Sequence, residues 1–234
     1  MPFDTVTSVT NYDKNAFAQK RCAQELVKML PNENIKSIID IGAGTGLATI
    51  EVIKKFPNSE VVLLDKSPQM LESAKSKIPD AAIINADAEV FDFTSQNFDL
   101  AIANLSMQWF KDCRSFLHKV VKYTKYFAFS LPLSNSFNEY YSIFKNINLP
   151  LIRFYTIDEI LAMLPSNTDI ISTRNITETK KYPTAIEATR HFKNIGATMP
   201  VDAKIQSKIS AILKSYKSPI MLNYDLFLCV LKGT

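Results

Sequence analysis

From residue 35 onward, short runs of apolar, mostly β-branched residues alternate with longer stretches in which apolar positions recur every three or four residues. A run of four to eight apolar residues marks a strand buried on both faces, whereas the longer period lays one apolar stripe along a helix. The pattern predicts strands at Ser37–Ile41, Glu60–Leu64, Ala82–Asn85, Phe98–Ala103 and Tyr126–Leu131, with helices near Thr45–Phe56, Pro68–Lys77 and Phe110–Tyr123 between them. Such alternation predicts an α/β fold built on a doubly wound, mostly parallel sheet. A leading helix over about Tyr12–Leu30 carries Phe17, Cys22, Leu26 and Leu30 on one stripe. After Leu131 the alternation is interrupted by residues 134–147 and by helices near Ile157–Leu164, Ala185–Ile195 and Ala203–Tyr216. These read as insertions over one end of the sheet. Ile170–Thr177 and Tyr224–Leu231 read as late strands, the second apolar enough to lie inside the sheet. The expected organisation is one domain, 1–234, with a leading helix at 12–30, a core at 35–131 and insertions at about 134–165 and 184–217.

A chain of 234 residues, 47% of them hydrophobic, is long enough to bury one sizeable core and too short to require two domains. No apolar stretch reaches the ~18 residues of a membrane span, and the start has neither a basic segment nor an apolar one of leader type. A soluble, cytoplasmic chain without a membrane partner is expected. Cys22, Cys113 and Cys229 are odd in number, widely spaced and outside any CxxC pair, so neither a disulfide framework nor a metal site is expected. The net charge of +4 comes mostly from lysine, with no block of five or six basic residues. That pattern argues against nucleic acid as a partner and leaves docking of an acidic protein open. Oligomeric state has no signature in the sequence.

Candidate chemistry concentrates at Asp40-Ile41-Gly42-Ala43-Gly44-Thr45-Gly46, a strand running into a glycine-rich turn that opens a helix. Three of the chain's five glycines fall here, as expected where the backbone must turn tightly and let a ligand approach closely. Nicotinamide and S-adenosylmethionine cofactors both use such a turn, so neighbouring residues must discriminate. Asp65 ends the second strand about 20 residues on, where a carboxylate accepts both ribose hydroxyls of an adenosine, and Ser67 is the better residue to cap the following helix. Beyond the third strand, Asp87 is placed to accept from an adenine amine and Ala88 to donate a backbone N–H, with Met70 covering one adenine face. No Ser/Tyr/Lys proton relay or second nucleotide fingerprint supports a nicotinamide-dependent reductase.

The segments DIGAGTG, LLDKSPQM, NADAEV and FDLAIANLSMQW, in this order and spacing across residues 35–110, resemble the motif series of class I S-adenosylmethionine-dependent methyltransferases. The resemblance implies a Rossmann-like, seven-stranded, mostly parallel sheet with helices on both faces and inserted lid helices. It also implies S-adenosyl-L-methionine as cofactor, S-adenosyl-L-homocysteine as product, and a place at the cofactor for Asp40, Lys66 and Asn104 besides the residues above.

Five further segments, NYDKNAFAQKRCAQEL, NLSMQWF, RFYTIDEI, ATRHFKNIGAT and YDLFLCVLKG, are similar in order to the BioC family, the malonyl-acyl-carrier-protein O-methyltransferases of biotin synthesis. The family reaction methylates the free carboxylate of a malonyl thioester, carried on acyl-carrier protein or as malonyl-coenzyme A. A carboxylate is already ionised at neutral pH and needs no general base, and neither His118 nor His191 has a compelling placement as one. The resemblance implies a cationic clamp, Arg190 first, with Arg153 and Lys193, while Tyr12 closes over the cofactor or acceptor and Trp109 walls the acceptor cavity. The chain departs from the family at Lys122-Tyr123-Thr124-Lys125, where a Pro-Gly-Gly turn is usual, and at Met199, where a polar residue is common. Two other readings stay open: methylation of a free small acid, as in trans-aconitate methyltransferases, and an assembly factor that modifies or merely binds a protein.

Overall fold

A computed structural model describes residues 6–94, 97–197 and 200–233. Two helices lead, α1 (Val6–Asn15) and α2 (Phe17–Met29), in place of the single helix expected. The break falls at Ala16, whose ψ of 46° leaves the helical well. Tertiary anchors explain it: Asp13 of α1 accepts from the hydroxyl of Thr45 at 2.6 Å, drawing α1 across the glycine turn while α2 keeps its apolar stripe on the sheet.

The alternating core follows as β1 (Ser37–Ile41), α3 (Leu47–Lys55), β2 (Glu60–Asp65), α4 (Pro68–Lys77), β3 (Ala82–Asn85), β4 (Phe98–Asn104), α5 (Cys113–Val120) and β5 (Thr124–Pro132). Then come α6 (Asn138–Ser142), α7 (Ile157–Met163), β6 (Asp169–Tyr182), α8 (Ala185–Asn194), α9 (Ala203–Ser215) and β7 (Ile220–Lys232). The sheet has seven strands in the order β3-β2-β1-β4-β5-β7-β6. The first five are parallel, and β7 runs antiparallel to both β5 and β6.

Both late strands are longer than the sequence predicts. Thr-Arg-Asn-Ile-Thr-Glu-Thr-Lys in β6 is too polar to read as a strand throughout, but as an edge strand it needs β7 on only one side, and pairing continues from Asp169↔Lys232 to Tyr182↔Ile220. Helices α3 and α5 are shorter than predicted because their starts are set by caps. Gly46 takes the left-handed conformation before Leu47, and the Asp112 carboxylate accepts from the Ser115 amide.

The sheet divides the expected single core into two layers. Ile38, Leu63, Leu100, Ile102 and Ala128 face α2, α3, α4 and the late helices, whereas Ile39, Leu64, Ala101, Phe127 and Phe129 face α5 and α7. Strand side chains alternate between faces, so runs apolar at every position serve both layers. All three cysteines are buried and unpaired. Among the described residues no helix is long and apolar enough to cross a membrane, and no cluster of three His, Cys, Asp or Glu could hold a metal ion.

Candidate active site

The site forms at the carboxyl ends of β1, β2 and β4. Gly42, Gly44 and Gly46 all have positive φ, at 67°, 54° and 79°. A Cβ on Gly42 would stand 2.5 Å from the Ser106 Cβ beyond β4, so the turn packs there without space for a side chain. A Cβ on Gly44 would meet no protein atom within 4 Å, which marks the side from which a ligand approaches. Asp65 braces the turn: one carboxylate oxygen accepts from the Gly44 amide and the other from the Ser67 amide, each at 2.8 Å. Burial pushes its pKa above the ordinary carboxylate range, and those amides pull it back. Ser67 caps α4 ahead of Pro68, as its sequence position predicts.

A cavity of about 350 Å³ opens beside this turn. It is lined by Gly42 and Gly44 of the turn, by Asp65, Lys66, Met70, Asp87 and Ala88, and by Tyr12, Trp109, Phe137, Phe154 and Tyr224. Four residues expected at the cofactor do not line it. Asp40 lies beneath the turn, 1% exposed, where its carboxyl accepts from the Thr49 hydroxyl and burial pushes its pKa up to about 7. Ala43 and Gly46 pack inward, the latter against Ile78 and Ala74 of the α4 region. Asn104 donates to the Gln19 carbonyl at 3.0 Å and accepts from the Ser130 hydroxyl at 2.8 Å, tying α2 to the ends of β4 and β5.

The proposed cationic clamp is dispersed. Arg153 touches neither cavity: it is exposed, pairs with Glu159 at 2.7 Å and lies over the Tyr155 ring. The Thr156 capping box puts Glu159 beside it at the start of α7. Arg190 and Lys193, both exposed on α8, line a second, larger groove of about 640 Å³ together with Lys214. Its floor is Tyr140, Tyr141, Phe144, Phe192 and Leu213. Ile152, Ala197 and Pro200 wall both cavities, so groove and inner chamber adjoin. Met199, one of the departures from the family, lies outside the described residues.

Sequence reasoning missed several site residues. Asp13 ties α1 to the turn through Thr45 and through Lys77, whose ammonium also reaches the Thr45 carbonyl at 2.9 Å. Gln19 and Gln108 line the chamber, and the side-chain oxygen of each is buried with no hydrogen-bond partner among the described residues. His191 is buried on α8 and bonded to the Tyr224 hydroxyl. His118, by contrast, rests on the Met163 carbonyl at 3.1 Å, away from the chamber. Nothing local singles out these glutamines or Asp13, because each acquires its role from an element distant in sequence.

Buried acceptors without donors test whether a cofactor fits. S-adenosylmethionine is rich in donors, with two ribose hydroxyls, an adenine amine and an α-ammonium. The chamber offers Asp65, Asp87 and the two unsatisfied glutamine oxygens to receive them, beside the open approach at Gly44. Asp65 and Asp87 would hold the adenosine, and Gln19 and Gln108 the amino-acid part.

The chain is a methyltransferase of Rossmann-like fold, and its chamber fits S-adenosylmethionine as the methyl donor. A family model described as a methyltransferase domain matches residues 38–126, from β1 into β5. The chain is 27% identical over 219 residues to malonyl-[acyl-carrier protein] O-methyltransferase 1 of Ilyobacter polytropus, covering 88% of this chain and 81% of that one. It is 36% identical to trans-aconitate 2-methyltransferase of Escherichia coli O139:H28, but over 97 residues only, 42% of this chain and 38% of that one. The YcgJ protein of Bacillus superposes with a TM-score of 0.64 at 17% identity, covering 91% of this chain and 98% of that one, a likeness of fold. The resemblance to the malonyl-acyl-carrier-protein O-methyltransferases expected from the motifs is thus found along most of the chain.

Proposed function

We propose that this enzyme methylates the free carboxylate of a malonyl thioester carried on acyl-carrier protein, the reaction that starts the pimeloyl moiety in biotin synthesis. One observation carries this reading: two adjoining cavities, an inner chamber with the cofactor groups and an outer aromatic groove rimmed by Arg190, Lys193 and Lys214. A free dicarboxylic acid needs only the chamber. A thioester on a phosphorylated carrier arm needs a channel for the arm and cations for its phosphate, which gives Arg190 and Lys193 a role at the arm in place of the carboxylate. Similarity to relatives named for malonyl-acyl-carrier protein extends over 80–88% of the chain, whereas similarity to the trans-aconitate enzyme extends over 42%.

Bound S-adenosylmethionine supplies an electrophilic methyl group on a sulfonium. The residues of this chain bind, orient and exclude water. Trp109 and Phe154 wall the chamber and Tyr12 lines it from α1, and these residues would orient an ionised carboxylate toward the methyl group. A carboxylate acceptor is already ionised, so the residues of this chain would have no proton to move. A base is therefore unnecessary.

The test is methyl transfer from labelled S-adenosylmethionine to malonyl-acyl-carrier protein, malonyl-coenzyme A and free dicarboxylic acids. Label is expected on the carrier as a methyl ester, with KM raised about tenfold or more in Arg190→Ala, the scale of one charge-assisted contact. Transfer to free acids alone, indifferent to Arg190, establishes the small-acid reading instead.

A further inference from the structure

The inner chamber presents an imbalance. Among its described lining residues the sole cation is Lys66, next to Asp65, so an acceptor carboxylate seated away from Lys66 meets no cation. One neutral hydrogen-bonding residue of that lining is Tyr224 of β7. It is 3% exposed, and its ring is held edge-on by Phe17 at 5.3 Å and Phe137 at 4.5 Å.

His191 reaches Tyr224 from behind. Its Nε2 is bonded to the Tyr224 hydroxyl, and its Nδ1 is buried with no partner among the described residues. The rings of Phe17, Tyr182 and Phe192 surround it, and the Lys180 ammonium lies over the Phe17 and Tyr182 rings at 5.1 and 5.3 Å. Burial, and then the Lys180 charge, depress the imidazole pKa to about 4, so the ring is neutral and carries one N–H. With that hydrogen on Nδ1, a buried donor is orphaned, which folded proteins almost never tolerate. With it on Nε2, only a lone pair at Nδ1 goes unmet, and the Nε2–H donates to the Tyr224 oxygen. The tyrosine's own hydrogen must then point elsewhere, and Tyr224 lines the chamber.

We infer that His191 holds Tyr224 as an obligate hydrogen-bond donor into the chamber, and that this donor seats the acceptor's carboxylate. The inference rests on the carboxyl-methylation reading. Tyr224 touches the acceptor, and His191 is a positioning residue acting through it. A neutral donor suits this chemistry better than a guanidinium would. Transfer converts the carboxylate to an uncharged ester, to whose carbonyl a phenol still donates, whereas a buried guanidinium would be left unpaired. A phenol also leaves the attacking oxygen less masked than an ion pair does.

Two experiments test the pair. In ¹⁵N-edited spectra of the full-length protein without substrate, His191 is expected to show its proton on Nε2 and a bare Nδ1 at pH 7. A proton on Nδ1, or on both nitrogens, overturns the inference. In the transfer assay with malonyl-coenzyme A, Tyr224→Phe is expected to raise KM about tenfold while S-adenosylhomocysteine affinity stays unchanged, the cost of one hydrogen bond to a charged group. His191→Leu should follow it, and His191→Gln, whose amide N–H replaces the Nε2–H, should recover most of the loss. The spectrum and the His191→Gln rescue separate this role from packing alone. No transfer to any malonyl thioester by the unsubstituted enzyme removes the carboxylate reading and this inference together. Transfer whose KM Tyr224→Phe leaves unchanged removes the inference and spares the reading.

Discussion

Gly42 and Gly44 share a motif and a positive φ but answer to different constraints. Alanine at either position strains the backbone by about 1–2 kcal/mol. At Gly42 the new methyl also strikes Ser106 Cβ at 2.5 Å, while at Gly44 it enters open space where a ligand approaches. Gly42→Ala is therefore expected to lower both Tm and S-adenosylhomocysteine affinity, and Gly44→Ala to lose affinity more than stability; calorimetry of both variants reads the difference. Asp40 makes a second residue-scale prediction. Its folded pKa of about 7 lies above the ordinary 3.8, so the fold favours the neutral carboxyl. That preference stabilises fully below the unfolded pKa and is lost as pH rises through the folded one. Without cofactor, the Tm of the unsubstituted protein relative to Asp40→Asn should fall between pH 4 and pH 7; a pH-independent difference refutes a raised pKa at Asp40.

At the scale of elements, α1 decides how the chamber is closed. It is a short helix packed against α4 and α8, and its Asp13 bonds Thr45 on the glycine turn and Lys77 at the end of α4. Asp13→Ala removes both and leaves α2, which packs independently through Ala18, Cys22 and Leu26, in place. Hydrogen exchange over residues 6–15 should accelerate without matching change in β1 or β4, and S-adenosylhomocysteine should bind more weakly because Tyr12 is no longer held at the chamber. Unaltered exchange would show that the helix is anchored by other contacts. Element boundaries were readable from the sequence where caps are local, as at Ser67 before Pro68, and unreadable where pairing sets them, as along the polar edge strand β6.

For the whole molecule, the cofactor chamber draws on the turns after β1 and β4, on β2, β5 and β7 and on helices α1, α2 and α4, so ligand binding and global stability are linked. S-adenosylhomocysteine at a hundredfold excess over its Kd should stabilise the fold by about 2.7 kcal/mol. For a chain of this size that corresponds to a rise in Tm of about 5–10 °C. Differential scanning calorimetry across a ligand series should show Tm rising with the logarithm of concentration, and a Tm indifferent to ligand would separate the chamber from the cofactor.

What the sequence determined by itself is whatever depends on neighbours along the chain. The short apolar runs of the strands, the glycine turn after β1 and the carboxylates Asp65 and Asp87 at strand ends are local, and the parallel core and the side of the chamber lined by Gly44 and Asp65 follow from them. The tertiary structure decided where the side chains of α8 go. Arg190, Lys193 and His191 lie within four residues of one another on α8, yet a helix turns its side chains to different faces. Two therefore border an outer groove while His191 is buried against Tyr224, 33 residues away. Which face of α8 meets β7 is set by packing across the sheet, an interaction to which no periodicity along the chain corresponds.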